Sequence, residues 1–187
     1  AEVSNFRGRD DRRFAEINLN AGCPMTKVTR CGAGAKLVES PGRIFLLLKA
    51  MRENTDLPIT LKTRLGPYPQ RTTIFEILAA AEAAGASGLT VHARYTSEMH
   101  GGATHLDVLA EVVSRAKIPV RGNGSVVDRA SAAKMAATGV AGLMIGRAAL
   151  SAPDFFARLR GRPGMGNPVT RHLDYILQFR DELAEKY

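Results

Sequence analysis

Short runs in which apolar and polar residues alternate are separated along this chain by stretches with helical spacing. Ile17 and Leu19 alternate with Asn18 and Asn20, and the run stops at Gly22, which predicts a short strand ending in a tight turn. Ile44, Leu47, Leu48 and Met51 recur at helical intervals behind Pro41, with Ser40 placed to cap the helix. The segment 57–66 predicts a second strand in which Lys62 and Arg64 share a face. Helices are expected over 73–84, 105–116 and 128–138, with Gly85 and Gly139 as stops. Strands are expected over 88–94, 118–121 and 142–145, and one short apolar helix over 148–156. A Gly- and Pro-containing linker, 161–168, precedes a last helix over 172–186.

A strand followed by a helix, five times over, implies a parallel sheet with helices packed outside it. Two closures accommodate that rhythm, an open doubly wound sheet or part of a (β/α)8 barrel. The turns Gly122-Asn123-Gly124 and Gly146-Arg147 follow the last two strands. Such a pair matches the phosphate site that barrels build after their seventh and eighth strands, and favours the barrel. Five units cannot close an eight-stranded barrel. The expected fold is therefore a partial TIM barrel of about five parallel βα units over 1–160, followed by a linker and a C-terminal helix over 161–187. Its open edges would be the 17–19 and 143–145 strands, and unpaired edges favour self-association.

Composition adds two constraints. The chain has 187 residues, 45% of them hydrophobic, enough for one substantial core. It has no apolar run of membrane-spanning length and no secretory signal pattern, and its two cysteines do not suggest a disulfide framework. A cytoplasmic location is the expectation. Lys and Arg number 26 against 18 Asp and Glu, a net charge of +8. Arginines cluster at Arg7, Arg9, Arg12 and Arg13 and again at Arg158, Arg160 and Arg162. That balance attracts polyanions, while the absence of tryptophan and the few aromatics argue against a base-stacking platform.

The candidate chemistry lies at the strand ends. A lone cysteine is commonly a small buried hydrophobe. Cys23, however, sits between Gly22 and Pro24 directly after a strand, where α/β folds build active sites and where a thiol would be exposed and fixed. Seen singly, His92 reads as a structural histidine, Lys62 and Arg64 as solvated charges, and the glycine turns as helix stops.

Taken together, Asn18-Leu19-Asn20-Ala21-Gly22-Cys23-Pro24, Gly32-Ala33-Gly34-Ala35, Leu61-Lys62-Thr63-Arg64-Leu65-Gly66, Val91-His92-Ala93-Arg94, Gly122-Asn123-Gly124 and Met144-Ile145-Gly146-Arg147-Ala148 appear in an order and spacing that resemble the tRNA-dihydrouridine synthase family. The resemblance covers about residues 16–156, and the last helix resembles the start of that family's helical domain. It implies an FMN-dependent enzyme that reduces uridine in tRNA, with NADPH as reductant. It implies Cys23 as the acid that protonates C5 of the uracil ring, and Asn20 and Arg64 as residues near the base. Lys62 and His92 would line the flavin, and Asn123, Gly124, Gly146 and Arg147 would bind its phosphate.

Three departures from the family's pattern stand out. The family's barrel starts about three βα units earlier. Gly122 and Ser125 occupy positions where an alanine and an acidic residue are common. The loop 95–100 lacks the usual Arg-Thr element. Competing expectations are a flavin barrel acting on a small molecule, of the dihydroorotate dehydrogenase kind, and a non-catalytic barrel piece that self-associates. The basic charge and the last helix favour tRNA over a small substrate.

Overall fold

The computed structural model describes residues 14–163. The Arg7–Arg13 cluster, most of the 161–168 linker and the 172–186 helix lie outside the described residues. The chain divides into two compact units, one of residues 1–125 and 133–144, the other of 126–132 and 145–187.

The first unit holds one sheet: β1 (Ile17–Ala21), β2 (Ile59–Arg64), β3 (Gly88–His92), β4 (Val120–Asn123) and β5 (Gly142–Met144). All neighbours are parallel and their order in space is their order in sequence. A doubly wound sheet reverses its strand order at a switch point, whereas a barrel adds each strand beside the last. The sheet is thus an arc of the barrel type, and its edges are β1 and β5, as the strand count implies. No further strand pairs with either edge among the described residues.

Register sorts the residues onto two faces. Ile17, Ile59 and Leu19, Leu61, Leu89, Val120 lie in aligned rows, followed by Ala21, Thr63, Val91, Gly122 and Leu143. This face meets the helices. Helix α2 (Pro41–Glu53) packs on β2 and α4 (Leu106–Arg115) on β4, with α3 (Ile74–Ala83) against both helices. Ile44, Leu48, Leu61, Leu89 and Leu109 are fully buried there, each contributing about 1.5–3 kcal/mol through removal from water. The opposite face is polar. Asn20, Lys62, Thr90 and Arg121 form one row, and Arg64, His92, Asn123 and Met144 the next. A barrel interior is ordinarily filled with branched apolar residues, and this polar face departs from that filling.

Several expectations change in detail. Ser40 stands at the start of α2, but its hydroxyl makes no capping bond; its carbonyl accepts from Arg43 and Ile44 instead. Of the apolar stripe on α2, Ile44 and Leu48 are buried and Leu47 faces out. The fourth strand starts two residues later than expected, after Pro119, and runs on through Gly122-Asn123, which the sequence presents as a turn. Two elements between β1 and α2 had no counterpart in the sequence reading: α1 (Thr26–Thr29) and a 3-10 turn, Gly34–Glu39.

In the second unit, the single helix expected over 148–156 is two, α6 (Arg147–Ser151) and α7 (Phe155–Leu159). Pro153 has no N–H to continue the first helix, and Ala152 before it is extended (φ −143, ψ 94), the conformation that precedes proline. Asp128 and Ser131 bond each other's polar groups in this unit, at the start of α5 (Arg129–Ala136). Arg158, Arg160 and Arg162 are exposed.

Candidate functional site

The C-terminal ends of the first three strands carry a thiol turn and a cluster of cations. After β1 the Asn20 side chain folds over its own turn, and its Oδ1 accepts from the N–H groups of Gly22 (3.0 Å) and Cys23 (3.1 Å). The Gly22 carbonyl accepts from Nε of Arg64 (2.9 Å), and the Cys23 carbonyl from the N–H of Ala35 (2.8 Å). Every backbone donor and acceptor of Gly22 and Cys23 is therefore engaged, and the turn is fixed without using the thiol. Gly34 permits this closeness. It sits at φ +58, and a Cβ there would lie 2.6 Å from the Cys23 oxygen and 2.7 Å from Cγ1 of Val28.

Arg64, wholly buried, also donates through Nη1 to the Tyr95 carbonyl (3.0 Å). A buried guanidinium is tolerable when its donors meet oxygens, and this one braces the thiol turn against the loop after β3. Beside it, Lys62 is half-buried, and a Cβ on Gly22 would lie 3.6 Å from its Nζ. Burial lowers the pKa of Lys62, and Arg64 adds to the effect against a smaller pull from Cys23.

His92 follows on β3, at 7% exposure. Burial first, then Arg64, Lys62, Arg94 and His100, push its pKa down to about 3. It is neutral at physiological pH. Its ring lies against the β4 turn, where a Cβ on Gly124 (φ +127) would meet Cδ2 of His92 at 3.0 Å. Asn123, paired in register with His92, donates through Nδ2 to the Met144 carbonyl (2.8 Å). Arg94, which the sequence reading quoted in a motif but gave no role, is buried and donates to the Gly102 carbonyl and to Oγ of Ser125 (2.6 Å). Its position two residues beyond His92, a charge at a strand end, is the signal that marks it. The nearby carboxylate is engaged elsewhere: Glu98 bonds His105 (2.8 Å) and the Tyr95 N–H (2.7 Å). Burial pulls the Glu98 pKa upward, but those two bonds and the charges of His105 and Arg94 outweigh it and hold it below the ordinary carboxylate value.

The structure thus brings together Asn20, Cys23, Lys62, Arg64, His92, Asn123 and Gly124 on one unit. Gly146 and Arg147 belong to the second unit, at the start of α6. Among the described residues the Cys23 thiol, Nζ of Lys62 and Nδ2 of Asn20 make no hydrogen bond or ion pair, and neither do Nη2 of Arg64, Nδ1 of His92 and Oδ1 of Asn123. An acid, a cation and an amide donor are among what the arrangement offers a ligand. No group of His, Cys, Asp and Glu among the described residues is arranged to hold a metal ion. Nor is any described helix long and apolar enough to cross a membrane.

The family described as dihydrouridine synthase (Dus) matches residues 6–187. A probable tRNA-dihydrouridine synthase of Rhodobacter capsulatus is 39% identical over 176 residues, covering 87% of this chain and 54% of that protein. The tRNA-dihydrouridine synthase B of Klebsiella pneumoniae is 37% identical over 159 residues (84% and 46%). The tRNA-dihydrouridine(16) synthase of Shigella flexneri is 41% identical over 146 residues (75% and 46%). The chain spans about half the length of the curated relatives it matches.

Proposed function

Because the chain belongs to the dihydrouridine synthase family, we propose that it provides the acid, base-binding and much of the flavin-binding machinery of an enzyme that reduces uridine in tRNA to 5,6-dihydrouridine. FMN is the cofactor in this reading and NADPH its reductant. The observation that carries it is the thiol turn, pinned at every backbone group beside a lysine while Sγ stays unengaged. Family membership supports tRNA over the small-molecule alternative.

The residues suit a flavin. Lys62, Arg64 and Arg94 concentrate positive charge around a neutral His92, and Glu98, the acid near them, is tied to His105. Such a site favours a group that carries a phosphate and gains negative charge on reduction. Lys62 and His92 would line that group, and Asn123, Gly124, Gly146 and Arg147 would hold its phosphate through backbone N–H groups and a guanidinium. When bound, FMN would supply hydride chemistry at C6 of the uracil ring. The C5=C6 π bond breaks, and its electron pair takes the proton of the Cys23 thiol at C5. The S–H bond breaks heterolytically, and the resulting thiolate regains a proton from solvent. With Oδ1 committed to Gly22 and Cys23, Asn20 can offer only its Nδ2 donor, which suits a uracil carbonyl. Arg64 bears on the base through the turn it braces.

The residues beyond 160 are proposed to begin a helical tRNA-binding domain, and the open edges β1 and β5 to pair with further strands, of a longer polypeptide or of a second copy. Replacing Cys23 by alanine in the intact enzyme tests the central assignment. Mass spectrometry of tRNA from complemented cells should show dihydrouridine lost while the purified protein keeps its flavin absorbance. Undiminished dihydrouridine rules out Cys23 as the acid.

A further inference from the structure

Arg94 makes a set of contacts that the proposed chemistry does not use. It is 3% exposed, and its guanidinium reaches three separate segments. Nε and Nη2 donate to the Gly102 carbonyl (3.2 and 2.7 Å), which fixes the loop after β3. Nη2 also donates to Oγ of Ser125 (2.6 Å), a residue held at φ +50 directly after Asn123-Gly124. Nη1 lies 3.3 Å from Nε2 of His92.

That last contact has only one chemical sense. A guanidinium carries donors and no acceptor, so Nε2 must offer its lone pair and the ring proton must sit on Nδ1. We propose that Arg94 is a positioning residue that locks His92 in the neutral Nδ1–H tautomer, so that the ring presents one N–H donor and no free acceptor nitrogen to whatever binds at the strand ends.

The surroundings leave His92 little alternative. Protonating Nε2 would set an N–H against the Nη1 donor. The charged and titratable groups that act on the ring are Lys62 and Arg64 from β2, Arg94 just beyond β3, and His100 from the following loop, stacked at 6.3 Å between centroids. From β4 and its turn come Asn123, paired in register with His92, Gly124 against the ring and Ser125 on Arg94, none of them charged, and Glu98 is held by His105 and Tyr95. Among the described residues no acidic group is found to favour an imidazolium there. Arg94 cannot swing away to relieve the clash, because Gly102 and Ser125 hold its other nitrogens. On the proposed function, the locked donor is of use to a flavin that gains electrons, since an N–H favours negative charge on a neighbouring oxygen or nitrogen. The tautomer itself follows from the contacts alone.

The test reads the ring directly and needs neither flavin nor tRNA. The full chain is labelled with 15N-histidine, and Nδ1 and Nε2 are distinguished by long-range 1H–15N correlation, with His92→Gln assigning the His92 signals. The expected wild-type pattern is a protonated Nδ1 and a lone-pair Nε2, constant between about pH 8 and pH 5, where an ordinary histidine titrates. In Arg94→Met the pattern should shift toward a tautomer mixture that still does not titrate in this range, because burial, Arg64 and Lys62 remain, while the His105 signals stay in place as a check on folding. A wild-type His92 protonated at Nε2 overturns the proposal, whether or not Arg94→Met folds. So does a folded Arg94→Met protein in which the tautomer is unchanged. Neither result bears on whether the chain acts on tRNA, so the two readings fail separately.

Discussion

Replacing Gly34 by alanine should disturb the thiol turn more than its distance in sequence from Cys23 suggests. Two costs add. Gly34 sits at φ +58, in the left-handed region, where a Cβ costs roughly 1–2 kcal/mol. The added methyl would also lie 2.6 Å from the Cys23 oxygen and 2.7 Å from Cγ1 of Val28. The first neighbour is backbone and already accepts from Ala35, so it cannot step aside without breaking that bond. Overpacking of this kind costs about 1–3 kcal/mol, so the substitution should lose about 2–5 kcal/mol in all. Gly122→Ala is the control. Its Cβ would meet Sδ and Cγ of Met135 at 2.7 and 2.9 Å and Cδ2 of Leu109 at 3.3 Å, all side-chain atoms away from the thiol turn, and its loss should be about 1–3 kcal/mol of overpacking alone. Urea denaturation compares the two variants. In a Cys31→Ser background, the alkylation rate of Cys23 reports the turn itself and should change only in Gly34→Ala. Equal stability losses in the two variants, with an unchanged alkylation rate, would refute the claim that Gly34 sets the position of Cys23.

Two further outcomes follow from charge. His92 has a folded pKa of about 3 against an ordinary 6.5, so the unfolded chain binds the extra proton first. Stability should be flat above about pH 6.5 and fall as the pH drops toward 3, by at most about 5 kcal/mol, and His92→Gln should flatten that arm of the profile in urea titrations. Binding of tRNA should weaken steeply between low and physiological salt in filter-binding titrations, and replacing Arg158, Arg160 and Arg162 should reduce that slope while flavin binding is kept.

The strand cores were legible in the sequence because alternation and glycine punctuation coincide, as in 17–22 and 88–94. The barrel order was legible from the rhythm of units, and parallel register then carried Lys62, Arg64 and His92 onto one face without further information. What stayed hidden was short or non-local. Helix α1 has four residues and the 3-10 turn six, too few for any period to show. The break at Pro153 was legible in principle, since proline cannot continue a helix, but the apolar run around it masked the signal. The brace from Arg64 to Gly22 joins residues 42 apart, and that from Arg94 to Ser125 joins residues 31 apart. No local pattern distinguishes such an arginine from a solvated one. For Arg64 the motif located the residue, but its bonds to the Gly22 and Tyr95 carbonyls were not legible from it.

The division between engaged and unengaged polar groups leads to a last prediction. Arg64 and Arg94 hold carbonyls, so removing either should lose stability along with function. Lys62 holds nothing among the described residues, yet it is half-buried beside Arg64. A lysine whose folded pKa lies below its ordinary value is destabilising while charged. The unfolded chain binds the proton more tightly, so the penalty is fully present at neutral pH and fades only as the pH rises through the folded pKa. Natural sequences keep such residues where function requires them and stability does not. Lys62→Met retains the aliphatic stem and removes the charge. It should stabilise the protein by on the order of 1 kcal/mol at pH 7, with a smaller gain at pH 10, and it should impair flavin binding or reduction in the intact enzyme. Urea denaturation at the two pH values, with flavin fluorescence titration alongside, measures both effects. A loss of stability at pH 7 would mean that Lys62 belongs to the framework, with Arg64 and Arg94, and that its place in the proposed site is wrong.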